Sequence, residues 1–186
     1  MNSDGAETLQ SEIVAALSAR AVRLLARREH SRAELRQKLR LKHRNEAPLS
    51  DELLDAVLDK LVEDGYQSDK RFAELLVRQR VANGYGELDI AARLQKKGVD
   101  KTLSADVLRE FVSENQIDWY AQAAEALIKR SAKLQRVSSV DAEDCNALDQ
   151  RMRNRLIRFL QQRGYTHDQV ICALEHLVAV SAEPEE

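Results

Sequence analysis

The sequence predicts an all-α protein in which three tandem three-helix repeats, each helix-turn-helix-like, stack into an elongated array that can curve. Three observations lead to this prediction. Residues that cost little free energy in a helix dominate the 186-residue chain, which has only six glycines and two prolines. Five of the glycines, together with Pro48, fall between segments of apolar periodicity rather than inside them. The apolar pattern also recurs from one group of segments to the next.

Apolar residues recur with a helical period in nine segments. The predicted helices cover residues 13–28, 32–43, 51–63, 69–83, 87–97, 101–114, 119–135, 148–163 and the stretch from 167 onward. Ser31 with Glu34 and Thr166 with Gln169 have the spacing of capping boxes, in which side chains satisfy the free N–H groups at a helix start. The polar stretch 136–147 is predicted to be a loop.

An internal repeat indicates how these helices are grouped. Residues 94–100 (LQKKGVD) match residues 160–166 (LQQRGYT), so that Leu94 aligns with Leu160. Each leucine has an apolar residue four positions before it, and Leu35 and Leu39 fit the same frame near the start of the chain. The predicted organisation is a flexible N-terminus at 1–14, three-helix repeats at 15–66, 67–116 and 117–180, and an acidic tail at 181–186.

No motif for catalysis or metal binding is present. The sequence lacks a phosphate-binding glycine loop, an H-E-x-x-H motif and a G-x-S-x-G motif. We therefore expect no enzyme activity and no cofactor, with a histidine pair assembled by folding as the open alternative. Cys145 and Cys172 match no metal spacing and are expected to be free thiols. Because the N-terminus does not resemble a signal peptide and no apolar run approaches about 20 residues, we predict a cytoplasmic protein without a membrane segment.

The charge of the chain is segregated along its length. The formal net charge is only -2, but residues 20–44 hold ten bases and two acids, a local charge of +8. Residues 45–69 hold eight acids and one base, a local charge of -7. The sign continues to alternate down the chain, so an average charge hides basic surfaces that a polyanion can use.

Helices one, two, seven and eight carry bases at a spacing that places them on one helix face. The candidate binding residues are Arg20, Arg23 and Arg27, then Arg32, Arg36 and Arg40, then Lys129, Lys133 and Arg136, then Arg151, Arg155 and Arg158. The third helix of the first repeat is acidic, so mutual neutralisation of neighbouring helices is the alternative for any one stripe. Recurrence of the stripes, and the bidentate pairing of arginine with phosphate or carboxylate, favour a binding surface.

Tyr66, Tyr85 and Tyr165 each lie beside a glycine at a helix junction. Such rings can stack on nucleobases. Packing under the turn is the more common arrangement for a tyrosine in this setting, and it is the one we expect.

Taken together, several segments resemble the RecX family, bacterial regulators of the RecA recombinase. They are residues 30–39 (HSRAELRQKL), 64–73 (DGYQSDKRFA), 83–86 (NGYG) leading to Ile90, 94–99 (LQKKGV), 117–119 (IDW) and 159–165 (FLQQRGY). Each segment alone is weak, but their order and spacing over about residues 15–180 are specific.

The resemblance implies tandem three-helix repeats and a regulator that binds the RecA–DNA filament in its groove. It further implies inhibition of the recombinase, its ATP hydrolysis and its co-protease action, in DNA repair, recombination and the SOS response. The expected partners are the RecA filament and DNA, the latter mainly within the filament and weakly when bare. We expect a monomer, and the family offers no catalytic residues to carry over.

Two other functions remain open at this point. The first is a helix-turn-helix-like DNA-binding protein without a recombinase partner, although no single helix start concentrates the residues that read base edges. The second is a scaffold that binds only protein. Salt dependence separates them, because many phosphate contacts give an affinity that falls steeply with salt.

Overall fold

The computed structural model describes residues 3–43, 49–135 and 145–182, and within these ranges every regular element is an α-helix. The helices are α1 (Ser3–Leu25), α2 (Arg32–His43), α3 (Asp51–Glu63), α4 (Asp69–Ala82), α5 (Glu87–Lys96), α6 (Lys101–Glu114), α7 (Trp119–Gln135), α8 (Cys145–Gln162) and α9 (His167–Ala182). The predicted all-α class is confirmed.

Two helix starts differ from the sequence prediction. Residues 3–14, predicted as a flexible segment, form the first turns of α1. This segment has no proline, and it includes Ala6, Glu7, Leu9, Gln10 and Glu12, which cost little in a helix, so a helix nucleated further along can extend through it. Helix α8 begins at Cys145, inside the predicted 136–147 loop. The remainder of that loop, the acidic tail after residue 182 and residues 1–2 lie outside the described residues.

The chain divides into two compact units. The first contains residues up to 75 together with 94–107, and the second contains 76–93 and the residues from 108 onward. In the first unit α1, α2 and α3 enclose a core of Leu17, Ala21, Leu35, Leu39, Leu54, Val57, Leu58 and Leu61. In the second unit α7, α8 and α9 enclose a core that includes Leu127, Leu156, Leu160, Tyr165, Val170 and Leu174, against which Trp119 is packed.

The residues matched by the internal repeat occupy equivalent buried positions. Leu94 and Leu160 are both fully buried. Leu35 and Leu39, placed in the same frame from sequence, are also fully buried. The repeat is therefore a repeat of core positions, which explains why it is detectable among variable surface residues.

In the first unit, the N-terminus of α2 meets the C-terminus of α5. The Ser31 hydroxyl donates to the carbonyl oxygen of Lys97 (2.6 Å) and accepts from the Glu34 N–H (3.1 Å), which is the backbone half of the predicted capping box. The Glu34 carboxylate accepts from Lys97 Nζ (2.5 Å) and pairs with Arg28 (3.2 Å). A Cβ on Gly98 would lie 2.4 Å from that of Ala33, so only glycine fits there.

In the second unit, the N-terminus of α5 meets the C-terminus of α8, here through backbone N–H donors. The N–H groups of Gly86 and Leu88 donate to the carbonyl oxygens of Arg163 (2.8 Å) and Gly164 (3.1 Å). A Cβ on Gly164 would lie 2.2 Å from the Asp89 nitrogen, and one on Gly86 would lie 2.5 Å from the Gly164 oxygen. In both units, therefore, a helix start meets a helix end beside a glycine, and each joint depends on the absence of a side chain there.

Replacing Gly164 with alanine should destabilise the protein far more than replacing Gly65 with alanine. Both glycines have a positive φ, +80° and +73°, but the added Cβ meets no atom within 4 Å at Gly65. We expect a loss of about 1–2 kcal/mol for G65A from backbone conformation alone. For G164A we expect about 3 kcal/mol or more, because the backbone of Asp89 must also move. Urea unfolding of both variants measures the difference; equal losses would mean that the α5–α8 joint is not tightly packed.

Stability should contain a contribution from Glu34 that disappears in acid. Burial alone would raise the pKa of Glu34, but hydrogen bonds from Lys97 and Arg28 outweigh it and lower the pKa to about 2. Because the folded pKa lies below the ordinary value of 4.5, this contribution is present above pH 4.5 and is lost as the pH falls toward 2. The free energy of unfolding of the wild type and of Glu34→Gln should therefore differ most above pH 4.5. A difference that does not change with pH would exclude this carboxylate as the source.

Candidate basic interface

The basic residues of α2 are paired within the first unit. Arg32 reaches Asp59 (2.6 Å) and Asp55 (3.6 Å). Arg36 lies 3.1 Å from Asp55 and 3.3 Å from Asp51, and Arg40 lies 2.9 Å from Asp51. These pairs form a ladder between α2 and the acidic α3, which is the neutralised arrangement that the sequence left as the alternative for a single stripe.

The three arginines of the first stripe differ from one another. Arg20 is half-buried, and its Nε is buried without a hydrogen-bond partner among the described atoms. Arg23 is exposed on α1, and Arg27 is exposed just after α1 ends. Neither of these two has an ion pair within the described part of the chain. This stripe therefore offers two guanidinium groups to solvent.

The stripe of α7 is described only in part. Lys129 is exposed and pairs with Glu125 one helical turn earlier (2.5 Å). Lys133 lies in α7, but its side chain is outside the description, and Arg136 lies outside the described residues altogether. Arg130, which was not a candidate from sequence, is half-buried with its guanidinium 5.4 Å from the centre of the Phe159 ring.

The arginines of α8 are the least neutralised of the four groups. Arg151, Arg155 and Arg158 are all exposed, and no acid among residues 3–43, 49–135 and 145–182 pairs with them. Arg153 is exposed in the same way. Each i, i+4 or i+3 step brings these side chains along one side of the helix, as the spacing predicts. An exposed row of unpaired guanidinium groups can bind phosphate or carboxylate without first breaking an internal ion pair.

An arginine–tyrosine cluster in the second unit was missed by the sequence analysis. The guanidinium groups of Arg80 and Arg163 lie 3.2 Å and 4.7 Å from the centre of the Tyr85 ring. Arg80 also pairs with Asp89 (2.6 Å), and Arg163 donates to the carbonyl oxygens of Asn83 (2.5 Å) and Gly84 (2.9 Å). The N-G-Y-G motif contains Tyr85, but the contact with Arg163, which is distant in sequence, leaves no periodic signal.

The three glycine-flanked tyrosines have different environments. Tyr165 is buried in the core of the second unit, and Tyr85 is half-buried under arginines, as packing at a turn requires. Tyr66 is 53% exposed, so the expectation of packing was wrong there. The carbonyl oxygens of Tyr66 and Gly65 accept hydrogen bonds from the Arg71 guanidinium (3.0 Å each).

A cleft opens in the second unit between the end of α4, the middle of α7 and the end of α8. Its volume is about 380 Å³. Its lining includes Gly84, Lys129, Arg130, Phe159 and Arg163, with Glu125 as the acidic member. Three bases and an aromatic ring around one concavity make it a second candidate for anion binding beside the α8 row.

Metal-ligating groups and membrane-spanning helices are not found among the described residues. Among them, no three His, Cys, Asp or Glu side chains are grouped to hold a metal ion, and none of their helices has the length and apolarity needed to cross a membrane.

His30 is buried, with Nδ1 2.9 Å from the Arg28 oxygen and Nε2 2.8 Å from Lys38 Nζ. Burial lowers the pKa of His30, so the ring is neutral and accepts from the lysine.

Family models match the chain in two places. The model described as "RecX, first three-helix domain" matches residues 19–47, and "RecX, second three-helix domain" matches residues 68–108. Among solved structures, "Crystal structure of RecX from Lactobacillus salivarius" superposes with a TM-score of 0.67 at 18% identity, covering 91% of this chain and 99% of that one. "Crystal structure of regulatory protein RecX" has a TM-score of 0.71 at 18% identity, covering 94% of this chain and 79% of that one. These likenesses concern the fold.

Curated relatives are closer in sequence. "Regulatory protein RecX" of Chromohalobacter salexigens is 40% identical over 156 residues, which is 84% of this chain and 89% of the relative. The protein of the same name from Halorhodospira halophila is 38% identical over 153 residues, 82% of this chain and 83% of the relative. With this identity over most of its length, the chain belongs to the RecX family of regulatory proteins.

Proposed function

We propose that this protein binds the RecA–DNA filament and restrains the recombinase, without catalysing a reaction and without a cofactor. Family membership supports a regulatory role, and the sequence motifs that resemble RecX link that role to RecA. The observation that carries the binding mode is the row of exposed arginines on α8, Arg151, Arg155 and Arg158, in a chain whose net charge is -2. This row has the chemistry for a polyanion, whereas the whole molecule does not attract one at long range.

The candidate bases contribute unequally in this proposal. The largest contributions are expected from the α8 row and from Arg23 and Arg27, because each of these residues presents an exposed guanidinium group. Arg32, Arg36 and Arg40 are already bound to α3 and would have to exchange those ion pairs for contacts with a partner. Arg20, Lys129, Lys133 and Arg136 complete the proposed set.

Acidic residues give the protein a second kind of contact. On α3, Asp59 and Glu63 have side chains that are 63% and 70% exposed, and their present partners are Arg32 (2.6 Å) and Lys60 (3.7 Å). Phosphate repels such residues, but a basic protein surface attracts them. A filament presents DNA and protein together, so bases and acids can be used at once, and several weak contacts reinforce one another through effective concentration. Bridging of this kind hinders the subunit motions that accompany ATP hydrolysis and strand exchange.

A helix-turn-helix-like DNA-binding protein without a recombinase partner is the second candidate. The three-helix pattern is its support. The ion pairs that tie Arg32, Arg36 and Arg40 to α3 argue against it, because a recognition helix needs its polar side chains free for base edges.

Reversing the α8 row should weaken filament binding. We expect Arg151→Glu, Arg155→Glu and Arg158→Glu together to lower the affinity for RecA–DNA filaments by at least about tenfold, since three favourable contacts become repulsive. The matched control is Arg78→Glu, Lys96→Glu and Lys101→Glu, which changes the net charge equally at exposed positions on other helices. Fluorescence anisotropy at a fixed salt concentration measures the affinity of both triple variants for the filament, and circular dichroism verifies that they are folded. Equal effects of the two triple variants would assign the loss to net charge and not to α8.

Wild-type protein should bind the assembled filament at least about tenfold more tightly than bare single-stranded DNA or free recombinase at the same salt. Titration into active filaments should lower both ATP hydrolysis and strand exchange. The three affinities are measured side by side, with one salt series for each ligand. Equal affinity for bare DNA and filament, with both activities unchanged, would reject the regulator and support the DNA-binding alternative.

A further inference from the structure

We propose that the cleft at the ends of α4 and α8 seats one nucleotide of a single strand, its phosphate on Lys129 and Arg130 and its base against Phe159. This inference rests on the proposed function, because the single strand is that of a nucleoprotein filament. It adds a specific seat to what would otherwise be a diffuse basic surface.

The size of the cleft suits a single small ligand. Its volume of about 380 Å³ lies at the lower end of the range of roughly 300–1,000 Å³ found for small-molecule sites. A nucleotide fills such a space with its base and sugar while its phosphate stays at the mouth. The two neighbouring nucleotides remain outside, so the site can sit at any point along a strand.

The charge of the cleft is positive after its internal pairing is counted. Lys129, Arg130 and Arg163 face one acid, Glu125, which pairs with Lys129. Arg163 donates hydrogen bonds to the carbonyl oxygens of Asn83 and Gly84 and forms part of the cleft wall. Arg130 has no ion pair among the described residues. An incoming phosphate can therefore pair with Arg130 and draw Lys129 away from an acid that is itself 56% exposed.

An aromatic surface accompanies these charges. The Phe159 ring has the Arg163 guanidinium 4.5 Å and the Arg130 guanidinium 5.4 Å from its centre. Rings and guanidinium planes are the two surfaces on which unpaired bases stack. A glutamate or aspartate side chain from a protein would use the cations but would leave the ring and most of the volume unfilled. The combination favours a nucleotide over an acidic peptide.

The core of the second unit also holds a buried tyrosine hydroxyl, on a residue that does not line the cleft. Tyr165 is only 3% exposed, and its hydroxyl has no hydrogen-bond partner within the described part of the chain. Burial raises the pKa of Tyr165 to about 12, opposed by Arg163 and assisted by Glu125, both of which line the cleft. The hydroxyl therefore keeps its proton and remains a donor, and burying a donor unpaired costs about 1–3 kcal/mol.

The test separates the phosphate contact from the base contact. Fluorescence anisotropy measures binding of a labelled oligothymidylate and of the same oligonucleotide with abasic sites. Phe159→Leu removes the ring without changing charge, and Lys129→Gln with Arg130→Gln removes two cations. The control, Arg78→Gln with Lys96→Gln, removes two exposed cations that do not line the cleft. Circular dichroism and thermal melting establish that every variant is folded.

For the wild type, loss of the bases should weaken binding by about tenfold, within the range expected for stacking. In Phe159→Leu the two oligonucleotides should bind equally, because the ring that distinguishes them is gone. The Lys129→Gln, Arg130→Gln variant should lose at least about tenfold against both oligonucleotides, and the control less than about threefold.

Three results would overturn the inference. The first is a difference between the two oligonucleotides that persists in Phe159→Leu. The second is an equal loss of affinity in the cleft and control double variants. The third is a polyglutamate peptide that displaces the oligonucleotide from the wild type but not from the cleft variant, which would assign the site to acidic protein. If Phe159→Leu is unstable, the cleft double variant decides alone. Filament ATPase is measured in parallel: regulation by the wild type without base-dependent binding rejects only this seat, whereas base-dependent binding without regulation rejects the proposed function.

Discussion

The close approach of helix ends at glycine is the constraint on which the rest of this structure depends. Gly164 lies so near Asp89 that a Cβ would fall 2.2 Å from the Asp89 nitrogen. That proximity allows the start of α5 to donate backbone hydrogen bonds to the end of α8. It also places Arg163 beside Tyr85 and the end of α4, and so builds one wall of the cleft. Without the joint, neither the arginine–tyrosine cluster nor the cleft has a fixed geometry.

Internal ion pairing decides which basic residues remain available. The ladder between α2 and α3 is half exposed, and exposed ion pairs each contribute only about 0–1 kcal/mol to stability. Its larger effect is electrostatic, since it cancels much of the local charge of +8 that residues 20–44 carry. On α8, no described acid pairs with Arg151, Arg155 or Arg158. Both stripes place three arginines along one helix face, at i, i+4, i+8 on α2 and at i, i+4, i+7 on α8, so the distinction between them is one of packing partners.

Sequence alone predicted the helices and the matched core positions, because both follow from local periodicity. Leu94 and Leu160 align in the sequence repeat, because each precedes its glycine by four residues. In the structure both are fully buried. The partners of Arg32 and Arg163 could not be predicted in this way. They depend on which helix faces which, and that is fixed by tertiary packing rather than by spacing. The cleft could not be predicted from sequence for the same reason, because its lining residues, from Val81 to Arg163, are up to 82 positions apart.

The position of Trp119 makes its fluorescence an intrinsic probe of one part of the protein. It is the only tryptophan in the chain, and it packs against the core formed by α7, α8 and α9. Its emission therefore follows the packing of the second unit, whereas far-ultraviolet ellipticity averages over the helices of both units. Unfolding curves recorded by the two signals coincide if the units melt as one cooperative body and separate if they do not. The chain thus carries its own means of revealing whether a partner stabilises one unit or both.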